Sequence, residues 1–244
     1  MKILGIIPAR YASSRFPGKP LVEINGKSMI QRVYEQALKA KSLQRVVVAT
    51  DDARILNHVL EFGGDAVMTS SNHPTGTDRC FEALEKAGGV TKYDYAINIQ
   101  GDEPFIDPDT IDQIASLLDF KTEIATAVKK IKDYETLRDP NVVKAVLTIR
   151  KQCLYFSRQI IPFVRGYEPD EWLEHADFYK HVGIYAYRSD VLEQISHMPT
   201  SPLENTEKLE QLRWLGYGYK IYAIVTNYES FGIDTKEDLE KINL

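Results

Sequence analysis

Short apolar, β-branched runs alternate with amphipathic segments through the first half of the chain, and that alternation restricts the fold more than any other feature. Ile3–Ile7 is continuously apolar, as a strand covered on both faces must be. Arg45–Thr50, Ala66–Thr69 and Tyr95–Ile99 are further buried strands of this kind. Ser28-Met29-Ile30-Gln31 reads as a capping box that opens a helix to about Ala40. Asp51-Asp52 caps a second helix that runs through Phe62 and stops at Gly63-Gly64. A third helix spans Thr77 or Asp78 to Ala87, and Asp107-Pro108 opens a fourth. Strand–helix repetition of this kind calls for a largely parallel sheet with helices on both faces.

The second half is less regular. Ala125–Ile131, Val142–Ile149, His181–Arg188 and Tyr219–Val225 read as strands, Glu204–Leu215 and Thr235–Lys241 as helices. Residues 150–177, with Pro162, Gly166 and Pro169 among aromatics, read as a loop-rich excursion. The expectation is one α/β domain over residues 1–244, a mixed and mostly parallel sheet flanked by helices, with a less regular sub-domain near 130–200 that serves dimerisation. A formal charge of −5 argues against a nucleic-acid surface, while leaving room for a local basic pocket that takes a small anion. Cys80 and Cys153 form no CxxC pair and point to buried thiols in a reducing compartment. No run approaches the roughly 20 apolar residues that span a bilayer. The apolar start ends at Pro8 without a signal-peptide pattern, so a cytoplasmic protein is expected.

In an open α/β sheet, ligands bind beyond the carboxyl ends of the strands. The loop after the first strand carries Arg10, Arg15 and Lys19, with hydroxyls at Ser13 and Ser14 and a glycine at Gly18. Three cations so close repel one another unless an anion lies between them, and a nucleoside triphosphate is such an anion; a solvated basic loop is the bland alternative. Gly26-Lys27-Ser28 imitates the end of a phosphate-binding loop but lacks the earlier glycine, so it reads as a turn before a capped helix. Asp102 follows the fourth strand in Gln100-Gly101-Asp102-Glu103-Pro104 and projects over the same sheet edge. Asp234 lies after the last strand. Both are candidate ligands for a magnesium ion carried with a triphosphate, against a turn aspartate at Asp102 and a helix N-cap at Asp234. His181 and Tyr185 fall on one face of a strand with Gly183 between them. Glu207, Glu210 and Gln211 share one helical face, which either reads sugar hydroxyls or is solvated.

Taken together, the stretches IIPARYASSRFPGKPL, VVVATDD, HPTGTDR, NIQGDEPFI, LYFSR, KHVGIYAYR, SPLEN with EKLEQLR, and GIDTKEDLE resemble the CMP-Kdo synthetases (3-deoxy-manno-octulosonate cytidylyltransferases) along nearly the whole chain. The resemblance implies a nucleotide-diphospho-sugar-transferase-like, Rossmann-like fold, dependence on Mg2+, a homodimer, and transfer of CMP from CTP to the acidic eight-carbon sugar Kdo for lipopolysaccharide biosynthesis. It implies that Arg10, Ser13, Arg15 and Lys19 hold the triphosphate, with Arg15 and Lys19 acting in catalysis beside Asp102. It places Thr75, Gly76, Thr77 and Gln100 near cytosine and ribose, and Asp102 and Asp234 on the metal. On the sugar side it implies Arg158, Arg165, His181, Tyr185, Glu210 and Gln211. The residues before Arg165 lack the tryptophan and aspartate common there in the family, and Ser14 and Phe16 replace the usual Thr and Leu. The acidic turn at Asp102 would also suit a metal-dependent glycosyltransferase, and a non-catalytic nucleotide sensor could use the same fold.

Overall fold

The computed structural model describes residues 1–12 and 16–241. In chain order, the first half gives β1 (Ile3–Ala9), the hairpin β2 (Glu23–Ile24) and β3 (Lys27–Ser28), α1 (Met29–Ala37), β4 (Arg45–Thr50), α2 (Ala53–Glu61), β5 (Ala66–Met68), α3 (Gly76–Ala87), β6 (Tyr95–Asn98) and α4 (Pro108–Ala115). The second half gives β7 (Ile124–Lys130), α5 (Tyr134–Arg138), β8 (Lys144–Leu147), β9 (Cys153–Ser157), α6 (Trp172–His175), β10 (Tyr179–Arg188), α7 (Ser189–Ser196), α8 (Pro202–Glu207), α9 (Gln211–Gly216), β11 (Ile221–Val225) and α10 (Lys236–Glu240).

The main sheet runs β11-β7-β10-β6-β1-β4-β5, with β8 and β9 continuing from β10. β1 pairs in parallel with β4 and β6, β5 with β4, and β11 with β7. β10 alone in that row is antiparallel, lodged between β6 and β7. The sheet is therefore mixed and mostly parallel, as the alternation predicts. Successive side chains of β1 feed opposite cores: Ile3 and Ile7 pack with Ile30, Val33, Ile55 and Ile111, whereas Leu4 and Ile6 pack with Cys80, Leu84, Leu192 and Trp214. Each fully buried side chain of this size contributes about 1.5–3 kcal/mol.

Several expectations need correction. The helix expected over Glu204–Leu215 is two, because Lys208 takes a left-handed conformation (φ 54°) between α8 and α9. Glu207 accordingly ends α8 and turns to Ser157 and Arg158, away from Glu210 and Gln211. The excursion at 150–177 contains β9 and α6, and Trp172 within it joins Phe178, Ile131 and Leu137 in a small separate core. Ser28 caps α1 by accepting from Gln31 N at 3.2 Å, but the Gln31 side chain turns to Glu35, so the reciprocal half of the box is absent among the described residues. The Gly26 imitation of a phosphate loop is the β2–β3 hairpin turn, with Asn25 and Gly26 both at positive φ.

Candidate active site

The carboxyl ends of β1 and β6 meet at one edge of the sheet. Gly101 lies so close to β1 that a Cβ there would come within 2.7 Å of the Pro8 carbonyl oxygen, so the turn after β6 accepts no side chain at this point. That packing fixes where Asp102 emerges. The chain after β1 closes back through Gly18 N to Tyr11 O at 2.9 Å and enters a 3-10 turn over Lys19–Leu21. Lys19 Nζ then donates to Asp102 Oδ2 at 2.9 Å and to Asp234 Oδ1 at 3.0 Å. Residues from three distant stretches meet on that ammonium.

The C-terminal stretch is carried there by apolar and backbone contacts. Ile233 packs with Phe16, Ile24 and Met29, and its N–H donates to Asp102 O at 2.9 Å. Thr235, not Asp234, caps α10, which removes the capping role considered for Asp234. Glu103 adds a second tie, accepting from Ser230 Oγ at 2.6 Å and from Tyr228 Oη at 3.1 Å. Burial, aided by the charge of Asp102, pushes the Glu103 carboxyl up despite those hydrogen bonds.

Arg10, Lys19, Gln100, Asp102 and Asp234 line one cleft of about 370 Å³. Arg10 Nη2 also donates to the carbonyls of His73 (2.6 Å) and Thr75 (3.2 Å), tying the cleft to the start of α3. Thr75 caps that helix in a reciprocal box with Asp78. A second cavity of about 200 Å³ adjoins the first through the shared residues Pro8 and Gln100. Gly76, Thr77, Tyr185, Glu210 and Gln211 line it, so residues expected on the nucleotide side and on the sugar side share one wall. Thr77 Oγ1 donates to Glu210 Oε2 at 3.0 Å, and burial pushes the Glu210 carboxyl up against that bond. Gln100 Nε2 donates to Gly183 O at 2.6 Å, at the irregularity in β10.

His181 lies beside Tyr185, ring centroids 5.1 Å apart, with Nε2 3.1 Å from Thr126 Oγ1. Burial lowers its pKa to about 3, so it is a neutral ring at pH 7 and offers no charge to an anion. Arg158 and Arg165 do not join the group. The Arg158 guanidinium donates to the carbonyls of Glu207 (2.9 Å) and Pro140 (3.1 Å), and Arg165 is exposed on the segment after β9. Ser13 and Arg15 lie outside the described residues. Sequence reasoning missed Glu103, Arg79 and Arg213. Arg79 is fully buried on Thr69 and Asp51, and Arg213 is held by Glu204. For Arg79 and Arg213 the only signal in the sequence is a charge on a largely apolar helical segment, and for Glu103 its place in the turn beside Asp102; the partners cannot be read from either.

The family model described as Cytidylyltransferase matches residues 4–221. The chain is 55% identical to the 3-deoxy-manno-octulosonate cytidylyltransferase of Parabacteroides distasonis, covering 99% of this chain and 96% of that one. It is 47% identical to an 8-amino-3,8-dideoxy-manno-octulosonate cytidylyltransferase of Shewanella pealeana, over 98% of this chain and 96% of the relative. Among solved structures, a CMP:2-keto-3-deoxy-manno-octonic acid synthetase complexed with CTP superposes with a TM-score of 0.91 at 43% identity, covering 99% of this chain and 97% of its own. A 4-diphosphocytidyl-2C-methyl-D-erythritol synthase from Anaerococcus prevotii, at TM-score 0.63 and 14% identity, shares the fold, which is that of the nucleotide-diphospho-sugar transferases. The chain belongs to the cytidylyltransferase family and, within it, to the 3-deoxy-manno-octulosonate cytidylyltransferases.

Proposed function

We propose that the protein transfers CMP from CTP to 3-deoxy-D-manno-octulosonate, releasing pyrophosphate, as a step toward lipopolysaccharide. The observation that carries this reading is the convergence of Lys19, Asp102 and Asp234 in one cleft at the carboxyl end of β1 and β6, in a chain that matches such enzymes end to end. In the reaction, the anomeric hydroxyl oxygen bonds to the α-phosphorus. The bond from that phosphorus to the bridging oxygen breaks, pyrophosphate leaves with the electron pair, and the hydroxyl proton passes to solvent. Catalysis of this kind is mainly positioning and charge neutralisation.

Asp102 and Asp234 offer hard carboxylate oxygens, and their joint grip on the Lys19 ammonium fits a position built for a cation. They are the residues that would hold magnesium, which when bound supplies charge neutralisation and Lewis-acid polarisation. Lys19, Arg10 and Arg15 would offset the charge that builds on the leaving group, and the Ser13 hydroxyl would hydrogen-bond to it. Thr75, Gly76, Thr77 and Gln100 border the nucleoside. Tyr185, Glu210 and Gln211 receive the sugar, and His181 supports Tyr185 as a neutral ring. A cytoplasmic homodimer fits the buried thiols and the exposed Ile149, Leu154 and Phe163 of the irregular region.

Pyrophosphate release from CTP and magnesium tests the reading, with 3-deoxy-manno-octulosonate, its 8-amino analogue or sialic acid as acceptor. Release that depends on the first is expected. Release with the amino analogue alone keeps the reaction and changes the substrate, as the 47% relative would suggest. CTP binding without pyrophosphate release in the presence of any acid sugar overturns it.

A further inference from the structure

Asp234 reaches the cleft on a strap without regular secondary structure, residues 226–234, which runs from the end of β11 toward α10. Such a segment keeps one shape only where its polar groups find fixed partners. Here they do at nearly every step. Thr226 N–H donates to Val128 O at 2.9 Å, and Lys129 Nζ donates to Asn227 O at 2.9 Å. Lys129 and Lys180 oppose each other across β7 and β10, and Glu229 bridges them, which relieves a repulsive cross-strand pair. Tyr228 and Ser230 then both turn to Glu103, one hydroxyl on each carboxylate oxygen, at 3.1 and 2.6 Å.

We propose that Glu103 is a positioning residue that acts through this strap to hold Asp234 beside Asp102, where a divalent cation needs both carboxylates; the inference rests on the metal pair proposed above. Glu103 follows Asp102 directly, so its ties register the strap on the same turn that aims Asp102. That turn is itself fixed, because Gly101 is pressed against the Pro8 carbonyl oxygen and cannot move toward β1. The Ile233 N–H bond to Asp102 O fastens the strap to the turn a second time, one residue before Asp234. The two carboxylates are therefore carried on one assembly of turn and strap, although they lie far apart in the chain.

Glu103 is not a third ligand. It is 6% exposed, each of its oxygens already accepts from a hydroxyl, and the cleft is lined by Asp102 and Asp234 but not by Glu103. Its influence on a bound cation must pass through the backbone that it holds. Groups behind metal ligands act in this way, by fixing the orientation of the ligands in front of them.

Mn2+ binding in the presence of CTP and without sugar, read by electron paramagnetic resonance, tests the assignment independently of turnover. Glu103→Ala is expected to weaken Mn2+ binding about tenfold. Tyr228→Phe combined with Ser230→Ala removes the same ties from the strap side, should weaken it equally, and decides the matter if Glu103→Ala does not fold. Glu103→Gln should restore most of the affinity, because an amide can accept from one hydroxyl and donate to the other. In an Asp234→Ala background, the Tyr228→Phe and Ser230→Ala pair should add no further loss, since its effect passes through Asp234. In steady-state kinetics the magnesium requirement should rise while the KM for the sugar holds.

An undiminished further loss in the Asp234→Ala background would show that the ties act elsewhere and would overturn the proposal. Wild-type Mn2+ affinity in the strap variants, with a lower melting temperature, would make the ties a matter of stability alone and overturn it equally. Asp234→Ala protein that binds Mn2+ as tightly as wild type overturns the metal pair itself. Weakened binding in Asp234→Ala with wild-type affinity in the strap variants overturns this inference and leaves the metal pair standing.

Discussion

The cleft and the cavity beside it are separated only by Pro8 and Gln100, yet they satisfy their polar groups in opposite ways. In the cleft, Asp102 and Asp234 are paired with Lys19 while no ligand is present, so the charges needed for a triphosphate do not destabilise the fold. In the cavity, the buried Tyr185 Oη and Trp214 Nε1 have no hydrogen-bond partner among the described residues. Partly buried ions can be held in reserve by one another, because each offsets the other's lost hydration while water still reaches the carboxylates. Buried dipoles cannot be screened, and the surrounding structure must hold them. The cleft can therefore lose a charge and keep its fold, whereas the cavity depends on its frame.

The sharpest test of that contrast is Asp102→Asn. It is expected to lower pyrophosphate release about a thousandfold, with unchanged circular dichroism and melting. Near-normal turnover would remove Asp102 from the proposed metal pair. Glu204→Ala should act in the reverse manner. It strips the partner from buried Arg213, which holds α9 against α8, and should cost about 3 kcal/mol in urea unfolding. A loss below about 1 kcal/mol would mean that α9 is secured by its apolar contacts alone.

His181 carries the same contrast into pH. Its folded pKa, about 3, lies below the unfolded value of 6.5. Between those values the unfolded chain binds a proton that the folded chain does not, so stability present above pH 6.5 is lost as pH falls toward 3. At about 1.4 kcal/mol per pH unit, His181→Gln should lose about 2 kcal/mol less than wild type between pH 6.5 and 5. Equal losses would place the acid sensitivity elsewhere. The smallest effect is expected from Lys208→Gly. Glycine tolerates the left-handed turn between α8 and α9, so the variant should gain about 0.5–1 kcal/mol in the same unfolding assay. A loss would show that the lysine side chain stabilises the turn.

The sequence by itself determined the parallel half of the sheet, because Ile3–Ile7, Arg45–Thr50 and Tyr95–Ile99 are apolar on both faces and have no stable state except between two helix layers. It also determined that Gln100–Pro104 turns sharply and that Arg10 and Lys19 lie over the same edge, since both stretches follow directly from strand ends. Glycines, prolines and charge spacing are local signals, and they survive in one dimension. Only the tertiary structure decided what those signals face. Lys19 and Asp234 are separated by more than two hundred residues, and their pairing depends on Ile233 reaching Phe16 and Asp102. The break at Lys208, the retreat of Glu207 from Glu210, and the burial of Arg79 and Arg213 each depend on partners contributed from elsewhere. The burial of Trp214 with its Nε1 unpaired among the described residues belongs to the same class. In the sequence it is an ordinary core residue, and only the packing of β6, β10 and α9 sets it in the wall of the smaller cavity.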